Sequence, residues 1–413
     1  MTRKTALIIT GIGVAILAAF LGWRLVRPMN IFVVSESFER PIDTKDLPAS
    51  LDALRAGDCA VCHREFYEEW KTSIHSQAWV DPYFQVDWKF DGAQQVCKNC
   101  HIPLDRQQDH KVLGFRDTEK WKPILADNPD FDPGLQHEGV TCAACHLKDG
   151  KILGPYGDAQ APHPVKKLAD NNEICLRCHV VQGARWDTFY RFPPCGTATE
   201  IEAGEGRWQG RSGEMTVRNV GELGCVQCHM PVVERPLVEG GRVRTARRHQ
   251  WRGGHDPAMV KQGLDVRLAE IGADAADRRA FMLTLTNVGA AHYLPTGTPD
   301  RHLTVQLRVL DREGHVLEEE DHTLKRTTMW RPFIVDLWDT RLPPRQPRTF
   351  RIEFPVAREP MPAAVEAVVL YHLVEESRRA RIGYENTEPI AYEVFRTALR
   401  LEPAQPPGTH ETK

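Results

Sequence analysis

The chain has 413 residues, with 53 lysines and arginines against 56 aspartates and glutamates and a hydrophobic fraction of 41 %. This balanced charge gives no basis for a nucleic-acid partner, and the apolar content excludes a disordered chain. The length favours two domains. The 11 cysteines are the abnormal count, so their spacing has to decide the class of protein.

Residues 1–28 predict a membrane anchor or a signal peptide. Residues 6–23 are almost entirely apolar and would form a helix of about 27 Å, close to the hydrocarbon thickness of a bilayer. Arg24 and Arg27 close this run, and no convincing small-x-small cleavage site precedes them, which favours an uncleaved anchor over a cleaved signal. We expect residues 29–57 to form a linker.

Ten of the eleven cysteines fall into five pentads of the form Cys-x-x-Cys-His. Two thiols three positions apart can add to the two vinyl groups of one porphyrin, and the next histidine is then held against the iron. The pattern predicts five covalently bound haems c in a domain of residues 58–260 that has short helices and irregular backbone. Haem attachment falls to Cys59, Cys62, Cys97, Cys100, Cys142, Cys145, Cys175, Cys178, Cys225 and Cys228, and iron ligation to His63, His101, His146, His179 and His229.

Other uses of these cysteines fit the spacing less well. Zinc sites combine Cys-x-x-Cys pairs into sets of four ligands and do not require a histidine after each pair. A thioredoxin-like motif normally occurs once, beside a βαβ unit, and disulfides between cysteines three residues apart would close only small loops. Cys195 lies outside the pentads, and its sequence is compatible with a buried inert cysteine, a redox thiol or an unusual iron ligand.

Function depends on the sixth position of each iron. An iron with two axial side-chain ligands is suited to electron transfer, whereas an open position can bind a substrate. Outside the pentads the chain has twelve histidines, more than five irons require. Local context, such as flanking prolines or glycines that allow close approach to a flat ring, favours six of them as distal ligands. These are His75, His137, His163, His249, His255 and His292.

Residues 261–401 contain no haem motif and have a different pattern of apolar and polar residues. Apolar residues alternate with polar ones in four segments that turn signals separate, which predicts an all-β domain, an immunoglobulin-like antiparallel sandwich. The proline-rich tail 402–413 is expected to be disordered. The four segments are residues 280–288, 303–310, 349–354 and 364–372.

The pentad domain resembles multihaem cytochromes c of the superfamily that includes hydroxylamine oxidoreductase, its tetrahaem electron-accepting partner, octahaem tetrathionate reductase and pentahaem nitrite reductase. This resemblance implies that His75 and His137 are distal ligands. The loop 287–297 resembles a β-domain appended to such cytochromes, which implies a ligand role for His292. The resemblance rests on the pentads with Trp70-Lys-Thr-Ser-Ile-His75, His137-Glu-Gly-Val-Thr-Cys142, Gly224-Cys-Val-Gln-Cys-His-Met-Pro231 and Arg248-His249.

Two departures prevent the transfer of a catalytic activity. No Cys-x-x-Cys-Lys motif of the pentahaem nitrite reductase kind is present, and the motif count differs from that of hydroxylamine oxidoreductase. We therefore expect an electron carrier in the cytoplasmic membrane, with its body in the periplasm, that serves quinol-oxidising or terminal-reductase partners. The alternative is an oxidoreductase in which one open-coordinate haem acts on nitrite, hydroxylamine, tetrathionate or a similar compound. Whether the protein is an enzyme stays open at this point.

Overall fold

The computed structural model describes residues 2–26, 39–45, 47–52, 54–118, 120–157, 160–168, 173–179, 188–189, 195–203, 207–210, 213–216 and 224–402. Apart from Glu402, the tail predicted to be disordered lies outside these residues. We refer below to the N-terminal helix, to the pentad region (residues 39–256) and to the β-region (residues 257–402).

The N-terminal helix, Arg3–Val26, confirms the predicted apolar helix at the start of the chain. An 18-residue window of this helix has a mean hydropathy of 2.3 and is not buried, and among the described helices this is the one that is long and apolar enough to cross a membrane. Its last turn touches the β-region, where Arg24 Nε donates to the Pro332 carbonyl at 2.9 Å. A signal sequence would have the same length and composition.

Short helices dominate the pentad region and its junction with the β-region. Three of them begin at an Asp-Pro pair, in which the aspartate accepts a hydrogen bond from a first-turn N–H and the proline occupies a position that needs no donor. The helices are Ala56–Ala60, Arg64–Lys71, Ile74–Gln77, Pro82–Phe90, Gln95–His101, Pro133–Gln136, Cys142–His146, Glu173–His179, Thr197–Ala203, Cys225–His229 and Pro257–Gln262, with 3-10 turns at Ala49–Leu51 and Asp105–Gln107.

The strands of the pentad region form small separate sheets. The apolar cluster beside them has five buried side chains, among them Leu54 and Leu104, and Ile42 packs against it. The part of the predicted linker that the structure describes is therefore built into this region. The strands are His110–Phe115 with Pro123–Asp127, Leu147–Lys148 with Lys151–Gly154 and Val165–Lys167, Val232–Pro236 with Val243–Arg247, and Arg207–Gly210 with Gly213–Thr216.

The β-region has two antiparallel sheets that share one apolar core. Nineteen buried residues form this core, and along strand His302–Leu310 every second side chain points into it. All four strands predicted from alternating hydrophobicity are present. One sheet has the order Leu264–Ile271, Arg278–Asn287, Arg348–Pro355, and the other has the order Val316–Leu324, His302–Leu310, Ala364–His372, Ala391–Arg400.

A third sheet and two helices complete the β-region and its edges. Strands Arg326–Met329 and Ile334–Asp339 pair with each other, and Ile334–Asp339 runs parallel to Thr188–Phe189 of the pentad region. Val260 of helix Pro257–Gln262 belongs to the β-region core, so packing places this helix with the sandwich. Along the chain, helix Glu376–Ile382 follows strand Ala364–His372 and precedes strand Ala391–Arg400.

Candidate haem sites

A single large cavity lies between the pentad region and the β-region. Its volume is about 2720 Å³, and all ten pentad cysteines and all five pentad histidines line it. Shared among five pentads, this volume is about 540 Å³ each, within the range of roughly 300–1,000 Å³ that is typical of a pocket for one organic ligand. The cavity therefore has room for a bulky group at every pentad.

The helical form of the pentads directs their reactive atoms into this cavity. Residues three apart on a helix lie on the same face, so that the two thiols of a pentad point in one direction and the histidine follows them. Two pentads end a seven-residue helix, and two others form a whole five-residue helix. The first, Cys59–His63, begins in the last turn of helix Ala56–Ala60 and leads into helix Arg64–Lys71. The local fold thus presents the atoms that a haem c requires.

Four pentad histidines are oriented by a hydrogen bond from Nδ1 to a backbone carbonyl. Because a carbonyl can only accept, Nδ1 must carry the proton, and Nε2 keeps its lone pair for a metal. The carbonyls lie between 7 and 174 residues away along the chain. The pairs are His63 with Leu237, His101 with Ala78, His146 with Leu153 and His229 with Arg252, at 2.7, 2.6, 2.6 and 2.6 Å.

Four pentad histidines also face a second imidazole across the cavity. A metal–nitrogen bond of about 2 Å on each side, with each nitrogen roughly 1.1 Å from its ring centre, puts two imidazoles on one metal about 6 Å apart. The ring centroids of the four pairs are 6.0 to 6.5 Å apart, which fits an iron between each pair. The pairs are His63–His163, His146–His249, His179–His75 and His229–His292, at 6.5, 6.0, 6.3 and 6.4 Å.

His75 is positioned by the close approach of two chain segments. Its carbonyl, in the one-turn helix Ile74–Gln77, accepts a hydrogen bond from Val140 N–H at 2.9 Å. Gly139 has a φ of +60°, and a Cβ at this position would lie 2.8 Å from the His75 carbonyl oxygen, so the approach requires glycine. Burial lowers the pKa of His75 to about 3, which keeps its imidazole in the neutral form that binds metals.

Glu69 organises the segment that carries His249. Its carboxylate accepts two hydrogen bonds from Arg235 at 2.8 Å each, one from Arg248 at 3.0 Å and one from the His249 backbone N–H at 2.8 Å. The His249 ring donates from Nδ1 to the Arg247 carbonyl at 2.9 Å, which leaves Nε2 for a metal. Sequence reasoning missed Glu69, because its partners are far away along the chain.

Glu200 organises the segment that carries His292, which belongs to the β-region. Glu200 Oε2 accepts hydrogen bonds from Tyr293 N–H at 3.1 Å and Thr296 Oγ1 at 2.8 Å, and Oε1 accepts one from Arg341 Nη1 at 2.7 Å. The side chains of Glu200 and Arg341 are each 3 % exposed. His292 Nδ1 donates to the Tyr293 carbonyl at 2.8 Å, so the loop and the ring are held together. We call this set of hydrogen bonds the Glu200 clasp, and sequence reasoning missed it as well.

Two histidines predicted as ligands are not paired with a pentad histidine in the described structure. His137 does not line the cavity, and its Nδ1 donates to the Pro133 carbonyl at 2.7 Å, one turn back in its own segment. Gln107 donates to the Leu135 and Gly139 carbonyls at 2.9 and 2.7 Å and so fixes the backbone on either side of His137. His255 does line the cavity.

Neighbouring pentads come close enough for their cysteines to meet. Once haem is attached these sulfurs are thioethers, so the contacts show where neighbouring attachments meet and not a thiol chemistry. Pentad Cys175–His179 takes part in two such contacts and therefore lies between two others. The hydrogen-bonded pairs are Cys59 with Cys142, Cys100 with Cys178 and Cys175 with Cys225.

Comparison with known proteins identifies the fold. No protein-family model matches the chain, and no curated protein does. Among solved structures, a penta-haem cytochrome c552 from Thermochromatium tepidum matches with a TM-score of 0.61 and 20 % sequence identity, over 85 % of this chain and 100 % of that chain. The two chains share one fold. This result confirms the multihaem cytochrome c fold that the pentads predicted.

Two further solved structures match only about a third of the chain. A putative beta-galactosidase from Bacteroides fragilis matches with 10 % identity over 34 % of this chain and 16 % of that chain, with a TM-score of 0.16. An enzyme that catalyses macrocyclization in alchivemycin A biosynthesis matches with 13 % identity over 35 % of this chain and 92 % of that chain, with a TM-score of 0.18. Similarity at this level has no bearing on function.

Proposed function

We propose that the chain is a pentahaem cytochrome c that carries electrons between redox proteins. The observation that supports this most directly is the set of four facing histidine pairs in a cavity that all ten pentad cysteines line. Haem c supplies reversible one-electron chemistry at its iron. A haem iron held between the two histidines of a pair would have no position left for a substrate, so four of the five sites would suit electron transfer.

In this proposal the chain holds and orients five haems. The pentad cysteines attach them, the pentad histidines bind the proximal face of each iron, and four further histidines bind the distal face. Glu69 and Glu200 act as positioning residues that fix two of those distal histidines. The distal ligands are His163 for pentad Cys59–His63, His249 for Cys142–His146, His75 for Cys175–His179 and His292 for Cys225–His229.

One observation favours the alternative, an oxidoreductase that acts on a small nitrogen or sulfur compound. Within the described chain no imidazole faces His101, and the ring that packs against it belongs to Phe84, with centroids 3.6 Å apart. An iron held by His101 without a sixth ligand would be open to nitrite or hydroxylamine.

The surroundings of the protein are part of the proposal. The helix Arg3–Val26 would anchor the chain in the cytoplasmic membrane, and the body would lie in the periplasm, close to quinol-oxidising or terminal-reductase partners. The β-region would be an immunoglobulin-like sandwich that closes one haem site through His292. Kinship with the hydroxylamine oxidoreductase group rests on the sequence stretches described above.

Haem counting and spin-state measurements test this function. We expect a pyridine haemochrome assay to return five haems c per chain, and electron paramagnetic resonance (EPR) of the oxidised protein to show low-spin iron at the four sites with facing histidines. Four or fewer haems would contradict the assignment of the pentads. A high-spin signal from one haem per chain that shifts with nitrite or hydroxylamine would support the oxidoreductase instead.

A further inference from the structure

The hairpin formed by strands Arg326–Met329 and Ile334–Asp339 ends in a short connection, which we call the tip loop. It consists of Trp330, Arg331, Pro332 and Phe333. Its two aromatic side chains are half-buried, its arginine is exposed, and it contains no acidic residue. Aromatic rings beside a basic side chain are typical of segments that lie at a membrane–water interface.

The tip loop is bonded to the end of the N-terminal helix. Arg331 Nη1 donates to the Leu25 carbonyl at 2.8 Å, and Arg24 Nε donates to the Pro332 carbonyl at 2.9 Å. The first contact satisfies a carbonyl of the last helical turn, which lacks a partner within the helix, and it puts a positive charge at the helix C-terminus, where such a charge is stabilising. Arg24 is only 6 % exposed. The end of the helix is therefore built into the β-region.

A ring contact defines how deep the tip loop lies along the helix. The ring centroids of Phe333 and Phe20 are 6.3 Å apart. Phe20 belongs to the last turn of the apolar run of residues 6–23, about 6 Å before Arg24 along the helix axis at 1.5 Å per residue. In a bilayer that surrounds the apolar run, Phe333 would therefore lie beside the outermost hydrocarbon, with Arg24 and Arg331 at the level of the lipid phosphates.

Ion pairs hold the hairpin that carries the tip loop. Arg326 is 4 % exposed and donates to the two carboxylate oxygens of Asp336 at 2.8 and 3.0 Å, across the two strands. At the end of the second strand, Asp339 accepts hydrogen bonds from Arg341 at 2.9 and 2.7 Å, and Arg341 belongs to the Glu200 clasp. The tip loop is thus preorganised and would lose little conformational entropy on contact with a surface.

We propose that the tip loop lies in the interfacial layer of a phospholipid bilayer, beside the N-terminal helix, and fixes how the body of the protein is held at the membrane surface. The inference rests on the membrane anchoring in the proposed function and deepens it, because a single helix would not by itself set the tilt of the body. Trp330 and Phe333 lie among the outer parts of the acyl chains, and Arg331 donates hydrogen bonds to lipid phosphates. A bilayer is favoured over a protein partner, since the helix beside the tip loop is apolar and not buried.

The test uses photoreactive lipids and the full-length, haem-loaded protein in nanodiscs of phosphatidylcholine and phosphatidylglycerol. One lipid carries a diazirine near its glycerol end, a second carries it at the end of an acyl chain, and mass spectrometry of the digested protein locates the labels. We expect the first lipid to label the tip loop and the second to label the middle of the N-terminal helix. Label on the helix without label on the tip loop would overturn the proposal. Absence of label from both segments would contradict the membrane anchoring itself, and the inference with it.

Two matched double variants assign the contact to the aromatic rings. Trp330→Ser with Phe333→Ser should lose the label on the tip loop and keep the label on the helix. The control, Val316→Ser with Met361→Ser, removes side chains that are 47 % and 50 % exposed elsewhere in the β-region, and it should keep both labels. Equal labelling of the tip loop in the parent and in the first variant would refute the proposal. A haem count on each variant checks its assembly, and if the first variant fails to assemble, the labels on the parent decide alone.

Discussion

The β-region buries nineteen apolar side chains in one cluster, whereas the larger apolar cluster described in the pentad region has five. In the β-region, alternating side chains such as Leu303, Val305 and Leu307 are fully buried between two sheets. Most residues that line the cavity of about 2720 Å³ belong to the pentad region, and they include its cysteines, histidines and aromatic rings. The β-region thus fills its centre with its own side chains, whereas the pentad region surrounds space for ligands.

This difference shows where the stability of each region must come from. Buried apolar area drives folding, and the β-region supplies it from alternating strand residues. In the pentad region the short helices bury little by themselves, so the groups attached to the cysteines have to replace the missing core. The pentad region should therefore depend on its haems for folding, while the β-region should not.

Removing one central attachment should have the largest effect. In a Cys175→Ser, Cys178→Ser double variant we expect fewer than four haems per chain, because this pentad contacts two others, and we expect limited proteolysis to degrade the pentad region but to spare the β-region. A protein that keeps four haems and the parental proteolysis pattern would show that the pentad region is stable without its full set of haems.

A cavity introduced into the core of the β-region should lower the stability of that region. Leu307 is fully buried, and we expect Leu307→Ala to lower the free energy of unfolding by about 2–5 kcal/mol. The measurement is denaturant unfolding of the haem-loaded protein followed by circular dichroism. The matched control is Leu337→Ala at a position that is 47 % exposed, where we expect a change within about 0.5 kcal/mol. Equal effects of the two variants would argue against a self-contained β core.

Removing the Glu200 clasp tests whether it couples the β-region to a haem site of the pentad region. We expect Glu200→Gln to cost about 1–3 kcal/mol, since it leaves buried donors without a charged acceptor. It should also raise the high-spin fraction at one haem, in the same sense as His292→Ala, because the clasp holds the loop that carries His292. The control is Glu313→Gln at an exposed turn. A low-spin spectrum in Glu200→Gln would show that the loop is positioned without the clasp.

The smallest expected effect concerns pH. Burial raises the pKa of Glu69, but hydrogen bonds from Arg235 and from the His249 backbone N–H outweigh burial and leave this pKa below its usual value. A depressed carboxyl pKa contributes stability above the unfolded value of about 4.3, and this stability is lost as pH falls through the folded value. Urea unfolding from about pH 7 down to pH 3 should therefore show a steeper loss for the parent than for Glu69→Gln. Identical slopes would contradict this.

Local sequence was sufficient wherever the structure follows from spacing. Each pentad needs only five consecutive residues to present two thiols and a histidine, and the strand His302–Leu310 needs only a period of two. Helix starts such as Asp81 before Pro82 are equally local. His75 and His292 were predicted as ligands from sequence, and the structure places each opposite a pentad histidine. Neighbouring residues did not reveal those partners, because they mark a position but do not say what it faces.

Tertiary structure alone decided which histidine faces which pentad. His163 and His63 are a hundred residues apart, and Glu69 acts on a segment near residue 249, so these contacts depend on how distant segments pack. The sequence by itself determined five Cys-x-x-Cys-His pentads, an apolar N-terminal helix and an alternating β-region, because each is encoded in neighbouring residues. Packing decided which histidine rings face each other and left His137 outside the lining of the cavity, since each is a contact across space.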